Sequence, residues 1–175
     1  MKLSRKTRIS PDSYIFRFTW QDPAMSLGLN IGGNHLYFHV EVDGEEVMRK
    51  YTPISEVRNP GFADFLIKIY RPGESEEFPK GGKVTPLLEA MQPGSTIWAS
   101  GPIEKFSYFG YGQCMRPKDD VPIIRKKIGG IAGGSGISPI YPVLMHGLRY
   151  EDGVEFSLIF GNKTVKDVLL KDELV

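Results

Sequence analysis

The feature that most constrains the fold is a change of hydrophobic period near Pro122. Before it, apolar and polar residues alternate, as they do in half-buried strands. Ser13-Tyr14-Ile15-Phe16-Arg17-Phe18-Thr19-Trp20 follows that rule, and Asn34 to Val42 reads similarly. Val42-Asp43-Gly44-Glu45 sets an Asp-Gly turn before Val47-Met48-Arg49-Lys50-Tyr51, a hairpin signal. Phe65 to Tyr70 is an aromatic and β-branched run, and Thr96 to Ser100 follows the turn Gln92-Pro93-Gly94-Ser95. Short strands separated by turn chemistry predict a small antiparallel barrel or sandwich. One helix interrupts them, Thr85 to Met91, with Thr85 expected as N-cap and Pro86 at the first helical position.

Beyond Pro122 the pattern changes. Lys127 to Ala132 reads as a buried strand, Gly133-Gly134-Ser135-Gly136 as a tight glycine turn, and Phe156 to Phe160 as the next strand. Between them, Ile137 to Tyr150 has helical spacing through Ile140, Val143, Leu144 and Leu148. That is one βαβ unit, the start of a parallel α/β sheet. Val165 to Leu174 begins a further helix as the sequence ends at Val175. A two- or three-stranded parallel sheet cannot cover both its faces, so this second domain is expected to be incomplete. The expected division is residues 1–122 and 123–175.

Composition excludes several function classes. The net charge of +1 gives no electrostatic reason to expect nucleic acid as a partner. A lone Cys114 excludes a disulfide framework, a Cys-based zinc site and a Cys-ligated iron–sulfur cluster within the chain; no metal is expected. Electron transfer would therefore need an organic cofactor or a partner. No apolar run reaches the roughly 18 residues of a membrane span. Met1-Lys2-Leu3-Ser4-Arg5-Lys6 is basic but lacks the apolar stretch of a signal peptide. A cytoplasmic, reducing location is expected, with any anchor to the cytosolic face of a membrane lying outside these residues.

Three segments carry candidate chemistry. Arg49-Lys50-Tyr51-Thr52-Pro53-Ile54-Ser55 matches R-x-Y-[ST]-x-x-[SN]. Side chains two apart on a strand face the same way, so Arg49 and Tyr51 can address one ligand. Arg49 suits a phosphate, as a forked donor, and Tyr51 offers a flat surface to an aromatic ring system. Thr52 and Ser55 add hydroxyls at the ring edge. Alone, the segment also fits a strand that ends in a Thr-Pro turn.

Lys80-Gly81-Gly82-Lys83-Val84-Thr85-Pro86 runs a glycine pair into a helix N-terminus, where backbone N–H groups and the helix dipole favour an anion. Its alternative is a plain glycine connector before a capped helix. Gly133-Gly134-Ser135-Gly136-Ile137-Ser138-Pro139 lies between strand and helix, the context a dinucleotide turn requires. It is not G-x-G-x-x-G, because Pro139 stands where the third glycine would be. A ring stacker, a diphosphate cradle and a nicotinamide turn thus follow one another along the chain.

In that order the segments resemble the ferredoxin–NADP reductase superfamily, within it the NADH–cytochrome b5 reductases. Arg49 to Ser55 resembles their flavin motif, Gly61 to Tyr70 the strand after it, and Phe78 to Thr85 their F-P-x-G-G-K-[MV]-[ST] segment. Gly101-Pro102 and Arg116-Pro117 fit a later loop. Ile131 to Pro139 resembles I-A-G-G-[ST]-G-I-[TS]-P, and Leu158 to Leu170 the strand and loop L-[LI]-[FY]-[AG]-N-x-T-x-x-D-[IV]-L-L.

The resemblance implies a six-stranded antiparallel FAD-binding barrel, followed by the start of a parallel α/β nucleotide-binding domain. It implies that Arg49 meets the FAD phosphate, that Tyr51 packs on the isoalloxazine, and that Lys50 lies beside them. Leu66, Ile67, Lys68 and Tyr70 would line the flavin, and Gly82, Lys83, Val84 and Thr85 would hold the diphosphate. Thr52 and Ser138 would lie nearest the flavin–nicotinamide junction. Lys83, Gly133, Gly134, Ser135 and Gly136 would meet NADH. His35, in a G-[QN]-H segment, would stand behind the flavin contacts. The implied activity is hydride transfer from NADH to FAD, then single electrons to cytochrome b5 or a similar haem protein. No side-chain acid or nucleophile is needed, and the chain is expected to be a monomer.

A complete member continues through a C-G-P-P-x-M segment and an aromatic-containing tail, and Cys114 is in the wrong context to replace that cysteine. FAD binding is therefore expected of these residues, while NADH turnover by them alone stays open. So does the choice between NADH and NADPH. Three other readings remain: a reductase component for a different acceptor, a flavin-binding module without turnover, and a plain β-barrel interaction domain.

Overall fold

A computed structural model describes residues 1–74, 76, 79–151 and 153–174. Phe78, the first residue of the expected diphosphate segment, lies outside the described residues.

Six strands build the first unit: β1 (Lys2–Arg8), β2 (Ser13–Thr19), β3 (His35–Val42), β4 (Glu45–Tyr51), β5 (Phe62–Lys68) and β6 (Trp98–Ile103). They pair antiparallel as two three-stranded sheets, β1-β2-β5 and β4-β3-β6. Short bridges join the sheets along both borders. On one side Pro53 pairs with Phe65, and the Ile54 N–H donates to the Asp64 carbonyl at 2.8 Å. On the other Lys2 pairs with Thr96, and the N–H groups of Leu3 and Ile97 donate to the carbonyls of Ser95 and Met1 at 2.8 and 2.9 Å. The strand order β1-β2-β5-β4-β3-β6 therefore closes on itself, which is the expected six-stranded barrel.

Inward-facing residues fill it. Leu3, Phe16, Phe18, Phe38 and Phe65 are wholly buried, and Phe38 meets Phe18 and Phe65 edge-on at 5.4 and 4.9 Å, the geometry aromatic quadrupoles favour. The β3–β4 loop is the expected Asp-Gly turn, with φ of +54° at Asp43 and +79° at Gly44. Strand β1 was not expected. Its sequence KLSRKTR puts only Leu3 into the core, so no apolar alternation marks it.

Helix α1 (Thr85–Ala90) begins one residue differently from expectation: Val84, not Thr85, is the N-cap. The Thr85 hydroxyl instead accepts the Tyr70 N–H at 3.0 Å, which ties the helix start to the end of β5. A small antiparallel sheet follows, β7 (Ser107–Tyr108), β8 (Gln113–Met115) and β9 (Ile123–Ile124). Strands of two or three residues are too short to show a period.

The parallel pair is β10 (Lys127–Gly133) and β11 (Glu155–Gly161), in register from Lys127↔Glu155 to Gly133↔Gly161. The expected glycine turn is a single 3-10 turn, Gly134–Ile137. The crossover helix α2 (Tyr141–Arg149) starts four residues later than its apolar spacing suggested, with a proline in its first turn. The expected helix from Val165 to Leu174 is broken. A 3-10 turn, Val165–Asp167, is closed by a capping box in which the Asp167 carboxylate accepts the Thr164 N–H at 3.0 Å. Leu170 then takes φ +55°, and α3 (Lys171–Leu174) follows.

The two units meet at an apolar cluster, and elsewhere through the Tyr108 ring against Phe156 and an ion pair of Arg149 with Glu56 at 2.9 Å. Leu66, on the outer face of β5, is buried in a cluster with Ala132, Ile137, Leu169 and Leu170, against which Ile15 and Ile54 also pack. This docks the 3-10 turn against the barrel wall. Among the described residues no helix is long and apolar enough to cross a membrane.

Candidate dinucleotide site

The strand end at Tyr51 builds the first wall of a cleft. Arg49 and Tyr51 share a strand face, and the Tyr51 ring packs on buried Phe38 at 4.8 Å. Burial pushes the Tyr51 phenol up to about 12, against the pull of the neighbouring Arg49 charge. The barrel core thus fixes this ring from behind.

A cavity of about 470 Å³ opens in front of it, a size typical of small-molecule sites. Arg49, Lys50, Tyr51 and Thr52 form one wall, and Leu66, Ile67, Lys68 and Tyr70 the floor. Gly82, Lys83, Val84 and Thr85 approach from the start of α1, and Ser138 closes the cleft from the α/β unit. Every flavin-side residue that the resemblance implied therefore lines one cavity. Gly81, Ser135 and Pro139 also line it. Ser55, expected at the ring edge, does not: its hydroxyl accepts the Asp64 N–H at 3.0 Å and it lines a different cavity.

The two glycine segments differ in kind. At Gly81, φ is +71°, and an added Cβ would stand 2.7 Å from the Tyr70 carbonyl oxygen and 2.8 Å from the Pro72 nitrogen. The Gly82 N–H donates to that same carbonyl at 2.8 Å. Close packing against the chain's own backbone is sufficient reason for glycine there, whatever ligand approaches. At Gly133, Gly134 and Gly136 an added Cβ would meet nothing within 4 Å. Here the bare backbone faces open space.

A second cavity of about 550 Å³ lies on that side, lined by Gly133, Gly134, Ser135, Gly161, Asn162 and Lys163 of the α/β unit. Asp12, Ile69, Arg71 and Glu74 line it from the barrel. Lys68, Tyr70 and Ser135 line both cavities, so the two adjoin at one seam. Gly133, Gly134 and Ser135, expected to meet NADH, thus line this second cavity. Lys83 is on the first cavity alone, and Gly136 lines neither.

Among the described residues, three buried side-chain polar atoms have no hydrogen-bond partner: Ser138 Oγ, Asn162 Oδ1 and His35 Nε2. Buried polar atoms are nearly always paired, and the first two belong to residues that line the cavities. His35 lines neither; it stands edge-on to Tyr37 at 5.3 Å, behind the cleft wall. Burial lowers its pKa, helped by Lys50 and Lys105 and opposed by a hydrogen bond at Gly33. Asp12, Arg71 and Glu74 were missed from the sequence, because they lie outside every glycine or aromatic motif. Asn162 was legible only as part of its loop.

A closed barrel with a cation-rimmed cleft, docked to a glycine turn on a parallel strand pair, has the form of a protein that holds two extended anionic ligands side by side. Residues 1–108 match the oxidoreductase FAD-binding domain, and residues 131–175 the oxidoreductase NAD-binding domain. The chain belongs to this family of FAD- and NAD-binding oxidoreductases. It is 39% identical to NADH-cytochrome b5 reductase 3 of Mus musculus, over 99% of this chain and 59% of the relative. Nitrate reductase [NADH] of Cucurbita maxima is 38% identical over 99% of this chain and 19% of its own length. The crystal structure of the cytochrome b5 reductase domain of Ulva prolifera nitrate reductase superposes with a TM-score of 0.88 at 37% identity, covering 99% of this chain and 65% of that one. The chain therefore spans about three-fifths of the mouse reductase it matches.

Proposed function

We propose that this chain is the flavin-bearing part of a reductase that passes electrons from NADH through FAD to cytochrome b5 or a similar haem protein. The observation that carries the reading is the seam, where Lys68, Tyr70 and Ser135 line both cavities and Ser138 Oγ stands buried and unpartnered. The residues suit such a cofactor pair. Arg49 would meet the FAD phosphate, with Lys50 beside it, and Tyr51 would pack on the isoalloxazine. Leu66, Ile67, Lys68 and Tyr70 would line the ring system, and Gly82, Lys83, Val84 and Thr85 would hold the diphosphate.

Thr52 and Ser138 would lie nearest the junction with the nicotinamide, where Ser138 Oγ can bond a polar ring atom. Gly133, Gly134, Ser135 and, at the rim, Gly136 would take the NADH dinucleotide, with Lys83 reaching toward it. When bound, FAD supplies the redox chemistry, accepting two electrons with a hydride and releasing them singly. The side chains bind, orient the two rings and exclude water; none acts as nucleophile or general acid. We place the division between the two domains at 122/123.

The test is optical. The purified chain should be yellow, with near-stoichiometric flavin, and the flavin bands should bleach on adding NADH. Cytochrome b5 added next should show the reduced haem band. A colourless protein would defeat the reading, whereas bound flavin that NADH cannot bleach would reduce it to a flavin-binding module. The comparable identity to a plant nitrate reductase supports a second reading of the acceptor, in which bleaching occurs but cytochrome b5 is not reduced.

A further inference from the structure

Among the described residues, Lys68 is the one cation that lines both cavities. It ends β5 on the outer face, two residues beyond Leu66, so it emerges where the barrel wall meets the 3-10 turn. Its ammonium is not free. Asp12 Oδ2 lies 2.5 Å from Lys68 Nζ, with side-chain exposures of 22% and 16%.

Asp12 is itself firmly held. It sits in the β1–β2 turn, where the N–H groups of Ile9 and Ser10 donate to the Ser13 carbonyl. The Ser13 and Ser10 hydroxyls donate to Asp12 Oδ1 at 2.9 and 3.2 Å. The Ile69 N–H donates to the Asp12 carbonyl at 2.6 Å, which lashes the turn to the residue next to Lys68. Arg8 braces the same turn through the carbonyls of Ser10 and Pro11. Burial alone would raise the Asp12 carboxyl; hydrogen bonds from Lys68, Ser13 and Ser10, with the Lys68 charge, leave it below its ordinary range.

We propose that Asp12 is a positioning residue: it holds the Lys68 ammonium at the seam between the two cavities and so sets how tightly the diphosphate of a pyridine nucleotide is drawn in. A lysine on its four-carbon stem otherwise samples many rotamers, and a ligand that recruits it must order it. The carboxylate does that ordering before the ligand arrives. Asp12 itself lines the second cavity, and its negative charge works against an anion there, but the two serine hydroxyls at Oδ1 and the Lys68 ammonium at Oδ2 offset that charge. This inference rests on the proposed dinucleotide function.

The experiment uses the full FAD-bearing chain and ADP-ribose as probe, with the dissociation constant read by calorimetry. Asp12→Asn keeps the shape and the serine contacts but removes the charge. It should weaken ADP-ribose by about 3- to 10-fold, the scale of one immobilised flexible side chain. Lys68→Met should weaken it at least as much, and the double variant should be no weaker than Lys68→Met alone. That loss of the Asp12 effect is what a merely structural residue would not show.

Unchanged or tighter binding in Asp12→Asn would overturn the proposal, as would two effects that multiply. So would a yellow wild-type chain that ignores ADP-ribose at millimolar concentration, a result that leaves flavin binding intact. A colourless wild-type chain would instead defeat the functional reading beneath it. If Asp12→Asn does not fold, Asp12→Glu replaces it; the longer stem displaces the ammonium, so weaker binding supports positioning and wild-type affinity overturns it.

Discussion

The barrel and the parallel pair solve the same problem with unequal means. The barrel closes through bridges at both borders and fills its interior with Phe16, Phe18, Phe38 and Phe65. The pair β10–β11 covers one face only. On the other, Ile131 and Ile159 stand in register at 78% and 68% exposure. The flavin-side residues therefore rest on a self-supporting frame, while the glycine turn depends on docking through Leu66 and Ile137. Rigidity is concentrated where a large ring system would lie, and openness where a second nucleotide would enter.

The strongest way to break this comparison is to cut each core. Phe38→Ala removes a ring that touches Phe18, Phe65 and Tyr51, and should cost about 3–5 kcal/mol. Ile131→Ala should change stability by no more than about 0.5 kcal/mol, as at a surface position. Urea denaturation of the two variants checks this. Equal losses would mean that the exposed face is packed in solution.

The glycines offer the next test. Gly81→Ala combines a left-handed backbone with a clash against Tyr70 and Pro72, and should cost about 2–5 kcal/mol. Gly134→Ala, at φ +48° in open space, should cost only about 1–2 kcal/mol. Its added methyl should nevertheless obstruct the nucleotide. Thermal melts and ADP-ribose titration together separate the two, and the comparison fails if Gly134→Ala binds normally while Gly81→Ala is stable.

A third contrast lies within β4. Arg49→Ala removes the proposed phosphate partner and should weaken FAD by about 1.5–3 kcal/mol, the scale of a hydrogen bond to a charged group. Lys50→Ala, whose ammonium sits over the outer Tyr37 ring at 5.7 Å, should retain most of its flavin. Flavin-to-protein absorbance ratios after gel filtration decide it, and equal ratios would remove Arg49 from the site.

How much of this was legible depended on what each element uses to hold itself. Strands such as Ser13–Thr19 and the Asp43-Gly44 turn declare themselves, because alternation and positive φ are local demands. That the residues of the first cavity come together was legible for a similar reason, since their motifs sit on one such strand and one glycine turn. Strand β1 was not, because only Leu3 reaches the core and its pairing is supplied by β2 and by Ser95. The cap at Val84 was misread because Tyr70, distant in sequence, takes the Thr85 hydroxyl. The break at Leu170 was hidden as well, since apolar spacing from Val165 onward does not reveal a positive φ. Asp12 gave no local signal; its importance exists only once β2 lies beside β5.

The smallest expected effect sharpens the comparison at its most rigid point. Tyr51 is pushed to about 12 by burial, against an ordinary value of 10.0. Between those values the unfolded chain loses the phenolic proton and the folded chain keeps it. Stability from this group is therefore complete below about pH 10 and declines as pH rises toward about 12. The slope is at most that of one proton, and Tyr51→Phe, which has no proton to lose, should flatten it. Chemical denaturation between pH 9 and pH 11 measures the difference between the two proteins. Parallel pH curves would mean that the Tyr51 ring is solvated, and the frame would then be looser at the flavin wall than its packing on Phe38 implies.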